Sequence, residues 1–346
     1  NSRFGQPLNS NIIKMQSSSS MILDNLAAMC RQETHYVAQD YLFHQQQQEM
    51  TVNGPQHAAA AAVVVDMDCR TKMAQWCYKV IDFCNFDRET VAIAMNTLDR
   101  FMNNHHASTQ ACLTDRRQYQ LAAMTSLYQA VKIHEPEAMD PALIAKISHG
   151  TYTVAEIEAM EVQLLMGVAW RVNTPTTLAF ARLLLELLSN GQSDNDGEGL
   201  LDEFALETVY HLVKIQSEAA VMEYDFMAIP PSVVAYAAIH NALLALGLQD
   251  GADRTVLTRA LSTTLDAVDP QLLSNVQTVL YQAVWDEPEA RDIIQTCNPQ
   301  YNTINNVNNN SGMDCDDMEN DDDNHHDDNN HAMKQQQQQQ QQHSYS

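Results

Sequence analysis

Apolar residues recur every three or four positions through much of this chain, and that spacing restricts the fold more than any other feature. It is clearest between residues 87 and 104, at Val91, Ala94, Met95, Leu98, Phe101 and Met102. Such spacing is typical of the core-facing side of an α-helix. Similar segments cover about 67–84, 114–133 and 153–169, and a short helix is predicted to begin near Pro141. Since no segment shows the alternation of a β-strand, the sequence predicts an all-α protein.

Changes in composition divide the chain into six segments. They are a polar N-terminal stretch (1–20), an amphipathic helix (21–46), a low-complexity linker (47–65), a first helical domain (66–172), a second helical domain (173–295) and an Asn-, Asp- and Gln-rich tail (296–346). The second domain is predicted to contain helices near 175–189, 200–220, 232–247, 254–264 and 269–286. The two ends lack the apolar content that offsets the entropy cost of folding, so both are predicted to be disordered.

Charge and motif content argue against several classes of function. The chain has 19 Lys and Arg residues against 44 Asp and Glu, a formal net charge of -25. Nonspecific binding to nucleic acid needs a basic surface, so no direct nucleic-acid partner is expected. The sequence contains neither a glycine-rich phosphate loop nor a nucleophile elbow. We therefore expect neither an enzyme active site nor a cofactor.

Cysteine usage and hydropathy indicate the compartment. The seven cysteines include no Cys-x-x-Cys pair, so the sequence predicts neither a disulfide framework nor a zinc site, and no metal is expected. No stretch reads as a signal peptide or a membrane-spanning helix, so no membrane association is expected. An intracellular location, in the nucleus or the cytoplasm, follows, although no basic cluster indicates nuclear import.

Five short segments, in this order, resemble motifs of the cyclin family. They are CRTKMAQW (69–76), TLDRF (97–101), QLAAMTSLYQAVK (120–132), EAMEVQLLM (158–166) and YDFMAIPPSVVAYAA (224–238). Each motif is weak alone, but five in the right order make a specific pattern. The resemblance to cell-cycle cyclins covers about 21–295. It implies two tandem five-helix cyclin folds preceded by an N-terminal helix, with disordered polar tails.

The resemblance also implies a structural ion pair within the first domain. In the family, an arginine of the first helix and an aspartate of the second are paired in the interior, and the matching residues here are Arg70 and Asp99. Removal of one partner would leave a buried charge unpaired and cost about 3–5 kcal/mol. The matching apolar residue of the third helix, Leu121, belongs to the core on any interpretation.

A kinase-binding site is the main functional implication. In cyclins, a lysine and a glutamate lie together on the surface that faces the kinase and hydrogen-bond main-chain groups of its mobile helix and activation segment. Lys132 and Glu161 match them. Glu135 matches a neighbouring acidic position, although the residues before it, Ile133 and His134, depart from the family pattern.

Further apolar residues match family positions that pack on the kinase helix. They are Leu165, Trp170 and Val172, for which an ordinary place in the core is an equal alternative. On the N-terminal helix, Tyr36 or Tyr41 is a candidate for added contacts.

A substrate-docking patch is altered in this sequence. Some cyclins recruit substrates through an apolar patch on the first helix beside an acidic residue. The patch positions here are Cys69, Lys72, Met73 and Trp76, and Lys79 takes the acidic position. Because two lysines replace apolar and acidic groups, Arg-x-Leu peptides are expected to bind weakly or in another way.

The sequence thus predicts a regulatory subunit that binds and activates a cyclin-dependent Ser/Thr kinase in cell-cycle control, and is itself no enzyme. Two alternatives stay open: a cyclin-fold transcription adaptor that binds no kinase, and a helical scaffold that assembles through its Gln- and Asn-rich tails. The acidic, lysine-free stretch near 292–333 is a candidate instability segment, which makes ubiquitin-ligase machinery a candidate partner. Residues 182–190 fit the spacing of a destruction box but fall in a predicted core helix.

Overall fold

The computed structural model describes residues 19–42, 65–104, 107–190, 201–248 and 269–298. The regular secondary structure in these ranges is helical, so the all-α prediction is confirmed. The first half contains α1 (Ser19–Glu33), α2 (Met67–Cys84), α3 (Glu89–Met102), α4 (Ala107–Thr114), α5 (Arg116–His134), α6 (Pro141–Ile147) and α7 (Val154–Gly167). The second half contains α8 (Thr177–Ser189), α9 (Glu203–Met222), a 3-10 turn (Tyr224–Ala228), α10 (Pro231–Ala245), α11 (Pro270–Asp286) and α12 (Pro288–Cys297).

Side-chain caps and prolines determine where many of these helices begin. Asp66 and Asp115 each accept a backbone N–H from the first turn of α2 and α5, respectively. At α7, Thr153 accepts the N–H of Glu156, and the Glu156 carboxylate accepts the N–H of Thr153. This reciprocal capping box is the one that the sequence spacing predicts. Pro141 lies in the first turn of α6, where the missing N–H costs no hydrogen bond.

Each half of the molecule is built around one helix that is buried on all sides. Residues 121–131 of α5, Leu121 among them, and residues 232–239 of α10 are buried without exception. Helix α5 packs against α2, α3, α4, α6 and α7, and α10 packs against α8, α9 and α11. A helix surrounded by neighbours needs no polar face, which explains the many small and apolar residues of both.

The ion pair between Arg70 and Asp99 lies where the two halves meet. Nη2 of Arg70 is 2.9 Å from Oδ2 of Asp99, and Nε donates to Oδ1 at 3.0 Å. The two side chains are 3% and 2% exposed. Nη1 of the same guanidinium donates to the carbonyl of Val221, in the last turn of α9, at 2.9 Å. Because α9 belongs to the second half, Arg70 joins the halves as well as pairing with Asp99.

Neighbouring groups keep this buried pair charged. Burial alone lowers the pKa of Arg70, but the Asp99 carboxylate outweighs it and the net shift is upward. The hydroxyl of Tyr41 donates to Oδ1 of Asp99 at 3.1 Å. The Tyr224 ring lies 5.9 Å from the guanidinium carbon of Arg70. Each charge therefore has several polar or aromatic neighbours, as a buried ion pair requires.

The N-terminal helix is shorter than the sequence predicts. We expected one helix over 21–46, but α1 ends at Glu33, and residues 43–46 lie outside the described ranges. The Glu33 carboxylate accepts the N–H of Ser232 at 3.0 Å and the Ser232 hydroxyl at 2.6 Å. The two residues are 199 positions apart in sequence. The carboxylate thus caps the start of α10. Beyond Glu33, the N–H of Ala38 bonds the carbonyl of Met227 instead of one within a helix.

As a result, the N-terminal segment contacts both halves. Ile22 and Leu26 of α1 pack in the core of the second half, against α8. Tyr41 and Leu42 pack in the core of the first half. The segment between α1 and Tyr41 therefore passes from one half to the other.

The region before α5 also differs from the prediction. The sequence predicts one helix over 114–133, but α4 covers Ala107–Thr114 and α5 begins at Arg116. The break between them has a local cause: the carboxylate of Asp115 accepts the N–H of Arg117 at 2.8 Å and starts a new helix. Besides α1, the described residues of the first half therefore form the five expected helices and the short α4.

Several predictions concern residues outside the described ranges. They are the N-terminal stretch up to residue 18, the linker over 47–64, the helix over 254–264 and the tail from residue 299.

Candidate functional site

Lys132 and Glu161 form an ion pair at the protein surface. Lys132 lies in the last turn of α5 and Glu161 in the middle of α7. Nζ of Lys132 is 3.0 Å from Oε1 of Glu161 and 3.3 Å from Oε2. The lysine side chain is 48% exposed and the glutamate side chain 14%. An ammonium group has three donors and a carboxylate about four acceptor positions, so the pair retains capacity for another molecule.

The surroundings of Lys132 favour its charged form. Its pKa is raised, first by the hydrogen bond to Glu161 and against a smaller effect of burial. Nζ also lies 5.5 Å from the centre of the Tyr128 ring, and Tyr128 is buried. The carboxylate and the ring together fix the position of the ammonium group.

Exposed apolar side chains belong to the same helices as this pair. They are Ile133 beside Lys132, Val162 and Met166 on α7, and Trp170 just after α7. We define the α5–α7 surface as Lys132, Ile133, Glu161, Val162, Met166 and Trp170. Large apolar side chains left exposed near a polar pair are typical of protein-binding surfaces.

Three residues of the α5–α7 surface, Lys132, Glu161 and Trp170, are predicted as site residues from the sequence. Ile133, Val162 and Met166 are not. The available signal was a second apolar row on α7: Val162 and Met166 are four residues apart, while the buried row of that helix is Ile157, Met160 and Leu164.

The turn after α7 holds Trp170 in an uncommon backbone conformation. Ala169 and Trp170 have φ values of 53° and 59°, in the left-handed region that non-glycine residues rarely adopt. The N–H of Trp170 donates to the carbonyl of Leu165 at 2.8 Å, and the N–H of Ala169 to that of Met166 at 3.0 Å. These bonds cap the end of α7. The Trp170 side chain is 67% exposed.

Leu165 and Val172, the other apolar candidates, are both partly buried. The carbonyl of Val172 lies 3.2 Å from Nε2 of His134, and because a carbonyl only accepts, the proton is on Nε2 in this contact. Leu165 precedes Met166 in the sequence, and Val172 lies two residues after Trp170. Their contact with a kinase stays a prediction.

The described hydrogen bonds of Glu135 are internal. Its Oε1 accepts the N–H of Asp87 at 3.1 Å and the hydroxyl of Thr90. They join the end of α5 to the start of α3. The structure does not bring this carboxylate into the Lys132–Glu161 pair, and its role as a kinase contact stays a prediction.

The two tyrosines proposed as added contacts are buried inside the protein. Tyr36 and Tyr41 are 6% and 5% exposed. Tyr41 bonds Asp99 in the interior, so neither side chain is available to a partner in this conformation.

The predicted substrate-docking positions are only partly at the surface. Met73 is buried, and Cys69 and Trp76 are partly buried against the first core. Lys79 is exposed, and Lys72 pairs with Asp68 on the same helix. The structure therefore offers little free apolar surface here, and altered docking stays a prediction.

The candidate destruction box lies in a packed helix. Residues 182–189 belong to α8, where Leu184 and Leu185 are buried. Arg182 pairs with Glu89 of α3. In this conformation the segment is neither extended nor accessible.

Two kinds of feature are absent from the residues that the structure describes. None of their helices is both long and apolar enough to cross a membrane. No group of three or more His, Cys, Asp or Glu side chains among them is placed to hold a metal ion.

Known proteins with similar sequences include cyclins of the A and B types. Cyclin-A2-2 of Arabidopsis thaliana is 26% identical over 186 residues, which is 54% of this chain and 39% of that protein. Cyclin-B1-1 of Oryza sativa subsp. japonica is 27% identical over 187 residues, 53% of this chain and 37% of that protein. The matched region thus spans about two fifths of these relatives.

Solved structures with a similar fold include a viral cyclin and a chain of a yeast complex. A viral cyclin from herpesvirus saimiri matches with a TM-score of 0.48 and 13% identity, over 70% of this chain and 96% of that chain. A chain of the yeast TFIIK (Kin28/Ccl1/Tfb3) complex matches with a TM-score of 0.46 and 14% identity, over 72% of this chain and 95% of that chain.

Two family models match the chain one after the other. The model of the cyclin N-terminal domain matches residues 24–173, and that of the cyclin C-terminal domain matches residues 175–308. Together they cover most of the sequence, including both cores and the α5–α7 surface. The chain therefore belongs to the cyclin family, as a divergent member of it.

Proposed function

We propose that this cyclin is the regulatory subunit of a cyclin-dependent Ser/Thr protein kinase, which it binds through the α5–α7 surface and activates in cell-cycle control. The observation that carries the proposal is the Lys132–Glu161 pair, held at the surface among exposed apolar side chains. The A-type and B-type relatives support the cell-cycle setting.

The chemistry of the α5–α7 surface suits the end of a partner helix. The first N–H groups and last carbonyls of a helix lack partners within the helix. Lys132 can donate to such carbonyls and Glu161 can accept such N–H groups. Val162, Met166 and Trp170 would lose their exposure to water on binding, and tryptophan is a frequent centre of binding energy.

Activation then requires preference for one kinase conformation. An active kinase needs its αC helix placed so that a Lys–Glu pair positions ATP. A subunit that binds this conformation more tightly shifts the population toward it, by no more than the difference in the two affinities. This chain therefore contributes binding energy, and the kinase supplies the reacting groups.

A reconstitution assay tests the proposal. The purified chain is mixed with a cyclin-dependent kinase, and phosphorylation is measured on a peptide without an Arg-x-Leu docking motif. We expect wild type to activate the kinase and the variant Lys132→Ala/Glu161→Ala to lose most of this activity. The control variant Asp68→Ala/Lys72→Ala removes an exposed ion pair from α2 and should activate normally.

Two outcomes would contradict the proposal in different ways. Equal activation by wild type and the Lys132→Ala/Glu161→Ala variant would keep the kinase partner and reject the site. A folded wild type that binds no cyclin-dependent kinase would reject the kinase partner and favour the transcription-adaptor alternative.

A further inference from the structure

The guanidinium of Arg100 holds the turn that carries Trp170. Arg100 lies in the last turn of α3. Its Nη1 donates to the carbonyl of Arg171 at 2.8 Å, and its Nη2 donates to the carbonyl of Val168 at 3.1 Å. The two acceptors flank Ala169 and Trp170, the residues with positive φ. One side chain of α3 thus fixes both ends of the strained turn.

Close packing between α3 and α7 supports this arrangement. A Cβ atom added at Gly167, the last residue of α7, would lie 2.5 Å from the Phe101 ring. Only glycine therefore allows this approach without a shift of Phe101. The side-chain amide of Asn104 donates to the carbonyl of Gly167. Phe101 and Asn104 therefore hold the start of the turn near the end of α3, in addition to Arg100.

The N-terminal segment contacts the same guanidinium. The guanidinium carbon of Arg100 lies 4.5 Å from the centre of the Tyr36 ring. The Tyr36 carbonyl accepts from the side-chain amide of Asn96 at 2.7 Å, and Asn96 accepts from the hydroxyl of Thr174 at 3.1 Å. Tyr36 is buried, so its ring covers one face of Arg100 while the N-terminal segment is docked.

A lysine at position 100 could not bond both carbonyls and stack on the Tyr36 ring as Arg100 does. Burial lowers the pKa of Arg100. Among the described residues, Arg100 forms no ion pair with a carboxylate, and its partners are two carbonyls and an aromatic face. A planar guanidinium can donate to two acceptors while it stacks on a ring, whereas an ammonium group is a point charge without a stacking face.

We propose that Arg100 is a positioning residue for the α5–α7 surface: it holds the turn over residues 168–171 so that Trp170 faces outward, and the docked Tyr36 ring holds Arg100. The inference rests on the proposed function, because it assigns Trp170 to the kinase contact. It adds a consequence, that docking of the N-terminal segment and kinase binding stabilise each other.

The test uses the full chain with 5-fluorotryptophan and two readouts, 19F NMR without kinase and kinase affinity. The chain has three tryptophans, and the Trp170 signal is assigned from the Trp170→Phe variant. In Arg100→Lys we expect the Trp170 signal to shift or broaden, the other two to stay in place, and affinity for the kinase to fall about tenfold.

Arg117→Lys is the matched control. Arg117 also stacks on a tyrosine, with its guanidinium carbon 5.0 Å from the Tyr152 ring centre, and it donates to the Thr151 carbonyl at 2.8 Å. Arg117 also pairs with Glu156 at 3.1 Å, an ion pair that a lysine can keep, so Arg117→Lys removes mainly the ring and carbonyl contacts at the N-terminal end of α5. We expect it to lower stability like Arg100→Lys but to leave the Trp170 signal and kinase affinity unchanged.

Two variants of Tyr36 test whether the Tyr36 ring holds Arg100 in place. Tyr36→Leu removes the ring but leaves the guanidinium and both carbonyl bonds, whereas Tyr36→Phe keeps the ring. We expect the Trp170 signal to move in Tyr36→Leu and not in Tyr36→Phe. These variants also replace Arg100→Lys as the test if that variant does not fold. In the double variant Tyr36→Leu/Arg100→Lys, the losses of kinase affinity should be less than additive.

The possible results separate this inference from the proposed function. An unchanged Trp170 signal in both Arg100→Lys and Tyr36→Leu would overturn the positioning role, even if the kinase still binds. A moved signal in a protein whose wild type binds no kinase would support the positioning of the turn and overturn the kinase contact. Equal loss of affinity in Arg100→Lys and Arg117→Lys would overturn the link between Arg100 and the kinase.

Discussion

Two ion pairs in the first half of this molecule have similar geometry and different surroundings. Arg70 and Asp99 are 29 residues apart in sequence, and so are Lys132 and Glu161. The shortest distance between oppositely charged atoms is 2.9 Å in the first pair and 3.0 Å in the second. The first pair is buried between the two halves, whereas the second lies on the outer side of α5 and α7.

This difference in burial, more than the chemistry of the charges, distinguishes the structural role of the first pair from the binding role proposed for the second. A buried charge that loses its partner is poorly solvated by water, so loss of either member of the first pair is expected to destabilise the folded state. An exposed pair contributes little to stability because water already solvates its charges. The second pair can therefore exchange part of its internal contact for contact with another protein.

The substitution Asp99→Ala is expected to have the largest effect on stability. It leaves Arg70 buried without a carboxylate and Tyr41 without its acceptor, which should cost about 3–5 kcal/mol in the free energy of unfolding. Chemical denaturation measures this loss. The apolar double variant Arg70→Met/Asp99→Leu should lose less, because it leaves no charge unpaired. A loss below about 1 kcal/mol for Asp99→Ala would contradict the role assigned to the buried pair.

The substitution Glu33→Gln extends the comparison to a third buried charge. The Glu33 carboxylate caps α10 through Ser232, whereas Asp99 pairs with an arginine. Burial raises the pKa of Glu33 above the ordinary value of 4.5, against the hydrogen bonds from Ser232. A raised pKa means that the folded state binds the proton more tightly than the unfolded state.

The stability of wild type relative to Glu33→Gln should therefore be greatest below pH 4.5 and should fall as the pH rises through the raised pKa. Denaturation curves of both proteins across this range measure the difference. A relative stability that increases with pH would show that the hydrogen bonds from Ser232 outweigh the effect of burial.

The substitution Ala169→Gly tests whether strain in the Trp170 turn is real. Glycine adopts positive φ without the Cβ clash, so the variant should gain about 0.5–1 kcal/mol of stability. Ala159→Gly is the matched control: Ala159 is exposed within α7, where the same change should cost about 1 kcal/mol. Thermal unfolding of both variants measures these changes in stability. A loss of stability in Ala169→Gly would contradict the strain assigned to the turn.

The smallest effect on stability is expected for the exposed pair. Lys132→Ala/Glu161→Ala should change the free energy of unfolding by only about 0–1 kcal/mol, because the lysine is about half exposed and the double variant leaves no charge unpaired. A loss as large as that of Asp99→Ala would show that both pairs are structural and would remove the distinction between them.

Much of this architecture could be predicted from the sequence. Helical periodicity identified the helices around α3 and α5, and the order of five motifs predicted the tandem cyclin folds. The resemblance also identified Arg70, Asp99, Lys132 and Glu161, and the structure places the members of each couple in contact.

The remaining features depend on tertiary contacts that local patterns do not contain. Glu33, the last residue of α1, bonds Ser232, which is 199 residues away in sequence. The carbonyl bonds of Arg100 depend on how α7 ends beside α3. Periodicity alone could not show which of the two apolar rows of α7 faces the core, so Val162 and Met166 were missed.

The most direct test of the central claim is a titration of wild type and of Lys132→Ala/Glu161→Ala with a purified cyclin-dependent kinase, with the free energy of unfolding measured on the same samples. We expect the dissociation constant to rise at least about tenfold, while the free energy of unfolding changes by less than about 1 kcal/mol. Equal dissociation constants for the two proteins would contradict the assignment of the exposed pair to kinase binding.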